Sequence, residues 1–190
     1  MDSKRIKKNV INLLFVSVIV LFFIPNTRGM MQIYLNRLFS LSPDMIEKEE
    51  RSSVSDYDWK LHGVNRESMN FKELKGKVVV LNFWNSWKPS SIAEMYSLQD
   101  LYNHYRNNDD IAFVFLTEDD DPEINKYLKD KKYEYPIYRS LSTYPEPFVM
   151  NPIPGTYVLD KGGQIAIYKR GVADWNTNTV KEYLDQLIAN

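Results

Sequence analysis

The chain has 190 residues, 44% of them apolar and 14% aromatic, with a formal net charge of −1. That is the composition of a folded domain with a core, and the near-neutral charge supplies no basic stripe for nucleic acid, whose phosphates dominate affinity. With no cysteine in the sequence, disulfides, thiolate catalysis, thiolate zinc sites and iron–sulfur ligation are excluded for this chain.

Lys4, Arg5, Lys7 and Lys8 precede a run without charges over residues 9–27. A helix rising about 1.5 Å per residue covers roughly 28 Å over that run, close to the hydrocarbon thickness of a bilayer. The spacing therefore predicts a transmembrane signal-anchor at residues 9–27. Residues 1–8 stay in the cytoplasm by the positive-inside rule, and the rest of the chain is exported. An uncleaved anchor is favoured over a cleaved signal peptide, because residues 25–30 offer no A-x-A-like site. Residues 28–56 read as a juxtamembrane stalk and linker. Met31, Ile33, Tyr34, Leu38 and Phe39 with Arg37 suit a short helix at the membrane surface, and residues 42–56, with their charge run at 47–51, suit a solvated linker.

A folded domain is expected over residues 57–190. Val78-Val79-Val80-Leu81-Asn82-Phe83-Trp84 reads as a strand buried on both faces. Residues 91–105 carry helical spacing through Ile92, Met95, Leu98, Leu101, Tyr102 and Tyr105, with Ser91 and Glu94 spaced as a capping box. Residues 111–116 form a second buried strand. Asp121-Pro122 is expected to cap and open a helix through Ile124, Tyr127 and Leu128. The acidic run at 118–121 is read as loop and cap in preference to a metal site. His62 and His104, the two histidines, have no ligand spacing, so no metal is expected. Residues 156–159 and 164–168 flank Asp160-Lys161-Gly162-Gly163, a hairpin signal. Val180, Tyr183, Leu184 and Leu187 mark a last helix over 177–188. The order predicts an α/β fold, a central mixed sheet with helices on both faces.

Two segments resemble the TlpA/ResA-like thioredoxin family, the anchored disulfide reductases of bacterial envelopes. One is Gly76-Lys77-Val78-Val79-Val80-Leu81-Asn82-Phe83-Trp84-Asn85-Ser86-Trp87. The family continues this strand into Phe-Trp-x-x-Trp and Cys-x-x-Cys, with a glutamate three residues after the second cysteine, here Glu94. The other is Ile153-Pro154-Gly155-Thr156-Tyr157-Val158-Leu159-Asp160-Lys161-Gly162-Gly163, with Pro154 at the cis-proline position. The resemblance covers roughly residue 59 to the end and implies a thioredoxin-like fold behind the transmembrane helix. It also implies a place at the bacterial inner membrane, with the domain extracytoplasmic.

The redox motif itself is altered. Lys88 stands at the nucleophilic cysteine, Pro89 is kept, Ser90 follows, and Ser91 stands at the resolving cysteine. Disulfide exchange needs a thiolate to attack and a second thiol to release the mixed disulfide, so the family's redox activity does not carry over and no catalytic residue is expected at these positions. The leading expectation is a non-redox binding module for an envelope protein. Its groove would lie beside Trp87, Ile153, Pro154 and Tyr157, where an extended partner segment adds as a strand. Two alternatives stand beside it. One is an assembly subunit with a vestigial site. The other is an enzyme with non-thiol chemistry through Lys88, Ser91 and Glu94. No cofactor is expected, and the membrane is contacted through residues 9–27.

Overall fold

The computed structural model describes residues 3–190. Two helices open it, α1 (Ser3–Phe23) and α2 (Pro25–Leu38). The strands β1 (Lys60–Gly63) and β2 (Met69–Asn70) follow, then a turn of 3-10 helix (Phe71–Leu74). The remainder alternates: β3 (Val78–Phe83), α3 (Pro89–Tyr105), β4 (Ile111–Leu116), α4 (Asp121–Lys131), β5 (Ile137–Ser140), β6 (Gly155–Leu159), β7 (Ile165–Arg170) and α5 (Asn178–Ala189).

All seven strands form one sheet in the order β2-β1-β5-β4-β3-β6-β7. β3 is an interior strand, parallel to β4 and antiparallel to β6. Its side chains alternate between faces, as the pleat requires. Val78 and Val80 join one apolar cluster and Val79, Leu81 and Phe83 the other. With both faces covered, every residue of the strand is buried, which is why it reads as a continuous apolar run.

Helices on both faces were expected, and here the structure differs. Met95 and Leu98 of α3, Ile124 and Tyr127 of α4, and Val180 and Leu184 of α5 all enter the same cluster. The crossovers β3-α3-β4 and β4-α4-β5 step in one direction across the sheet. Right-handed connections then leave both helices on one face. The opposite face is closed by aromatic side chains from outside the α-helices: Trp59, Phe71, Phe148 and Tyr157.

The transmembrane helix expected over residues 9–27 is also corrected. Among the described residues no helix is long and apolar enough to cross a membrane. The run is divided: Ile24 has extended backbone (φ −87°, ψ 117°) and acts as N-cap to α2, with Pro25 at its start. The apolar part of α1, residues 9–23, covers only about 22 Å at the helical rise, short of the roughly 30 Å hydrocarbon core. The basic segment expected at residues 1–8 falls partly on Met1 and Asp2, outside the described residues.

Residues 42–56 are docked and not a free linker. Met45 and Ser53 bridge Ile167 and Gln164 at the outer edge of β7. The Ile46 N–H donates to the Ala166 carbonyl at 2.8 Å, and the Ile165 N–H to that of Ser52 at 2.8 Å. Arg51, in the charge run, pairs with Asp160 at 3.1 Å and donates to the Tyr183 hydroxyl at 2.7 Å. Upstream, α2 lies against α3, where the Arg37 guanidinium sits 4.1 Å above the Tyr96 ring.

Candidate functional site

β3 ends at Phe83, whose partner on β6 is Gly155. The chain that leaves β3 and the chain that enters β6 therefore meet at one end of the sheet. This brings residues 84–88 to the same end of the sheet as Ile153 and Pro154. Because β4 runs parallel to β3, the loop after Leu116 emerges at the same end.

Lys88 is the N-cap of α3, with extended backbone and no side-chain cap bond, and Pro89 opens the helix. Proline suits that first position because its missing N–H would have no partner there. The helix thus starts before Ser91, and the expected Ser91–Glu94 capping box does not form. Ser91 is buried instead, and its hydroxyl accepts the Asn85 N–H at 3.3 Å. Ser90 is half-buried, and Trp87 is 66% exposed.

Glu94 lies fully buried beneath the motif. Its Oε1 accepts from Trp175 Nε1 at 2.8 Å and from the Ala173 N–H at 3.3 Å. Its Oε2 accepts from Asn82 Nδ2 at 3.1 Å and from the Thr156 hydroxyl at 3.5 Å. Asn82 and Thr156 face each other across β3 and β6, and Asn82 also donates to Thr156 at 2.7 Å. One carboxyl thus ties α3 to two strands and to the loop before α5. Burial pushes the Glu94 carboxyl up to about 7, because the charged form loses its hydration, and the bonds from Trp175, Ala173, Asn82 and Thr156 oppose that shift.

The non-thiol catalytic constellation is not assembled. All four hydrogen bonds to the Glu94 carboxyl come from other residues, so neither Ser91 nor Lys88 is bonded to it. A nucleophile–base pair needs that contact.

The groove residues separate into two groups. Trp87 and Ile153 reach the surface at this end of the sheet, and the Ile153–Pro154 peptide is cis. Tyr157 does not line the groove. As the neighbour of Thr156 on a pleated strand it points to the opposite face, 1% exposed, stacked on Tyr168 at 4.1 Å. Its hydroxyl accepts the Val149 N–H at 3.2 Å, so it supports the loop from behind.

Asp119 is a residue the sequence reading did not single out. It is 6% exposed; its carboxylate accepts from Asn85 Nδ2 at 2.8 Å and from the Ser86 N–H. It clamps the motif loop from the end of β4. Two of the remaining acidic residues of that run are also committed: Asp121 pairs with Arg139, and Glu118 accepts from the Tyr144 hydroxyl. Asp120 takes the N-cap position of α4, one residue before the expected cap, with no side-chain cap bond. The legible signal was topological: an acidic loop after a parallel neighbour of β3 must emerge beside the motif.

A cleft of about 260 Å³, lined by Ser86, Glu123, Lys126, Tyr127 and Asp130, adjoins the motif loop. A larger hollow, about 590 Å³, lies instead between α2 and α3, away from the motif. Among the described residues no three His, Asp or Glu side chains gather as metal ligands.

Comparison with known proteins agrees with this architecture. The chain is 23% identical over 164 residues to the thiol-disulfide oxidoreductase ResA of Oceanobacillus iheyensis, covering 86% of this chain and 79% of that one. ResA of Bacillus cereus is 22% identical over 156 residues, 78% of this chain and 87% of the relative. Among solved structures, a DsbF homologue from Corynebacterium diphtheriae superposes with a TM-score of 0.58 at 22% identity, covering 75% of this chain and 92% of that one. The AhpC/TSA family model matches residues 56–167, more than half of the chain. With its mixed sheet, its cis-proline loop and its strand-to-helix motif, the chain belongs to the AhpC/TSA family, as a ResA-like, thioredoxin-fold member that has no cysteine.

Proposed function

We propose that this protein is a non-redox binding module that holds an extended polypeptide segment at the end of the sheet between Trp87 and Ile153. The observation that carries this reading is the state of Ile153. Among the described residues neither its N–H nor its C=O has a hydrogen-bond partner, while Gly155, two residues on, is paired into the sheet. An unpaired backbone donor and acceptor in line with a strand is what strand addition uses. The exposed Trp87 indole beside it supplies apolar contact area of the kind that anchors interfaces.

Loss of thiol chemistry leaves such a site intact, since backbone pairing and an indole need no sulfur. The Glu94 network and the Asp119 clamp hold the motif loop in place with no disulfide. This supports docking over a site left without use.

The test is photo-crosslinking in the producing cell from Ser90, beside the groove, with Glu182 on the exposed side of α5 as control. The reading expects a discrete adduct from position 90 and none from position 182. Trp87→Ala and Ile153→Asp should each reduce the adduct at least fivefold, in variants whose thermal melting is unchanged. Equal adducts from both positions, or adducts indifferent to both substitutions, would remove the groove from consideration.

A further inference from the structure

Lys88 occupies the mouth of the groove without a counter-charge. Among the described residues it makes no ion pair and its side chain no hydrogen bond. Four carboxylates at this end of the sheet already have partners. Asp119 holds Asn85 and Ser86, Asp121 holds Arg139, Glu118 takes the Tyr144 hydroxyl, and Glu94 is enclosed by Trp175, Ala173, Asn82 and Thr156. Lys88 is itself half-buried, at the N-cap of the helix opened by Pro89 and next in sequence to the exposed Trp87, at the end of the sheet where Ile153 offers its backbone.

We infer that the segment bound here carries an aspartate or glutamate opposite Lys88, flanked by apolar residues that meet Trp87 and Ile153. This rests on the docking role proposed above and adds the chemistry of the partner. Docking withdraws water from the Lys88 ammonium, and leaving it unpaired is unfavourable, so an anion on the partner is selected and a cation rejected. The backbone pairing at Ile153 fixes register and the indole adds apolar contact; neither distinguishes charge. Lys88 supplies that discrimination.

The test uses fluorescein-labelled nonapeptides of alternating Val and Ser with Asp, Asn or Lys at the centre, titrated against the full chain by anisotropy. At low ionic strength the Asp peptide should bind roughly fivefold tighter than the Asn peptide, the scale of a partly exposed ion pair. The Lys peptide should bind weakest, and the gaps should narrow as salt is raised. Lys88→Glu should invert the order, making the Lys peptide the tightest. Equal affinities for the Asp and Asn peptides, or an order unchanged by Lys88→Glu, would overturn the charge assignment and leave the docking role standing. Failure of all three peptides to bind would overturn both.

Discussion

Replacing Glu94 by glutamine takes away the one titrating proton at the centre of the buried network and should make the stability of the domain less dependent on pH. A carboxyl raised from about 4.5 to about 7 in the folded state binds its proton there while the unfolded chain has already released it. Between those values the folded state holds more protons than the unfolded one, so stability falls as pH rises. Below about pH 4.5 both states are protonated and the group contributes nothing. Above about pH 7 both are ionised and the full penalty is present. At about 1.4 kcal/mol per pH unit, the separation corresponds to about 3 kcal/mol. Urea unfolding of wild type and Glu94→Gln at several pH values from 4.5 to 8.5 measures it. The difference in stability, variant minus wild type, should grow by about 3 kcal/mol across pH 4.5–7.5 and then level off. Comparing the pair cancels the other titrating groups and any constant cost of altered hydrogen bonds. A difference that stays flat through that window would refute the claim that burial dominates the environment of Glu94.

Two further substitutions probe the frame around the site. Asp119→Ala leaves the Asn85 amide and the Ser86 N–H without their acceptor. It should cost about 2–3 kcal/mol in urea unfolding and speed hydrogen exchange at Ser86 before exchange in the core of β3 rises. Arg51→Ala removes a largely buried pair with Asp160 and the bond to Tyr183. It should cost about 1–2 kcal/mol, and limited proteolysis should then cut first within residues 42–56.

What the sequence made legible follows from how each element is encoded. β3 and β4 are buried on both faces and announce themselves as unbroken apolar runs, as do the two strands around Asp160-Lys161-Gly162-Gly163. The final helix has Thr177 as its N-cap, with the hydroxyl accepting the Val180 N–H. β1, β2 and β5 are four, two and four residues long, too short for a periodicity to form, and they escaped. Residues 42–56 looked like linker because their side chains are polar; their attachment to β7 runs through the backbone, which composition does not register. Ser91 and Glu94 were singled out by their spacing and Lys88 by the resemblance to the family's redox motif, but their roles were not legible. Ser91 is three residues from Glu94 in a helix and looked like a cap, whereas the partners that define Glu94 arrive from Asn82, Thr156, Ala173 and Trp175, the last of them 81 positions away. The placement of α3 and α4 on one face was available from the direction of the crossovers and was missed.

The stretch along β7 also decides how this chain behaves among its copies. The outer rim of a sheet is a row of unmet donors and acceptors, and a neighbouring molecule can satisfy them as readily as the chain itself. Here Met45, Ile46, Ser52 and Ser53 occupy that rim from within. A fragment started at residue 57, where composition alone would cut, would bare Ile165 and Ile167 on an open edge. It would invite growth by addition of further molecules, so a fragment that keeps this rim covered must begin upstream of Met45.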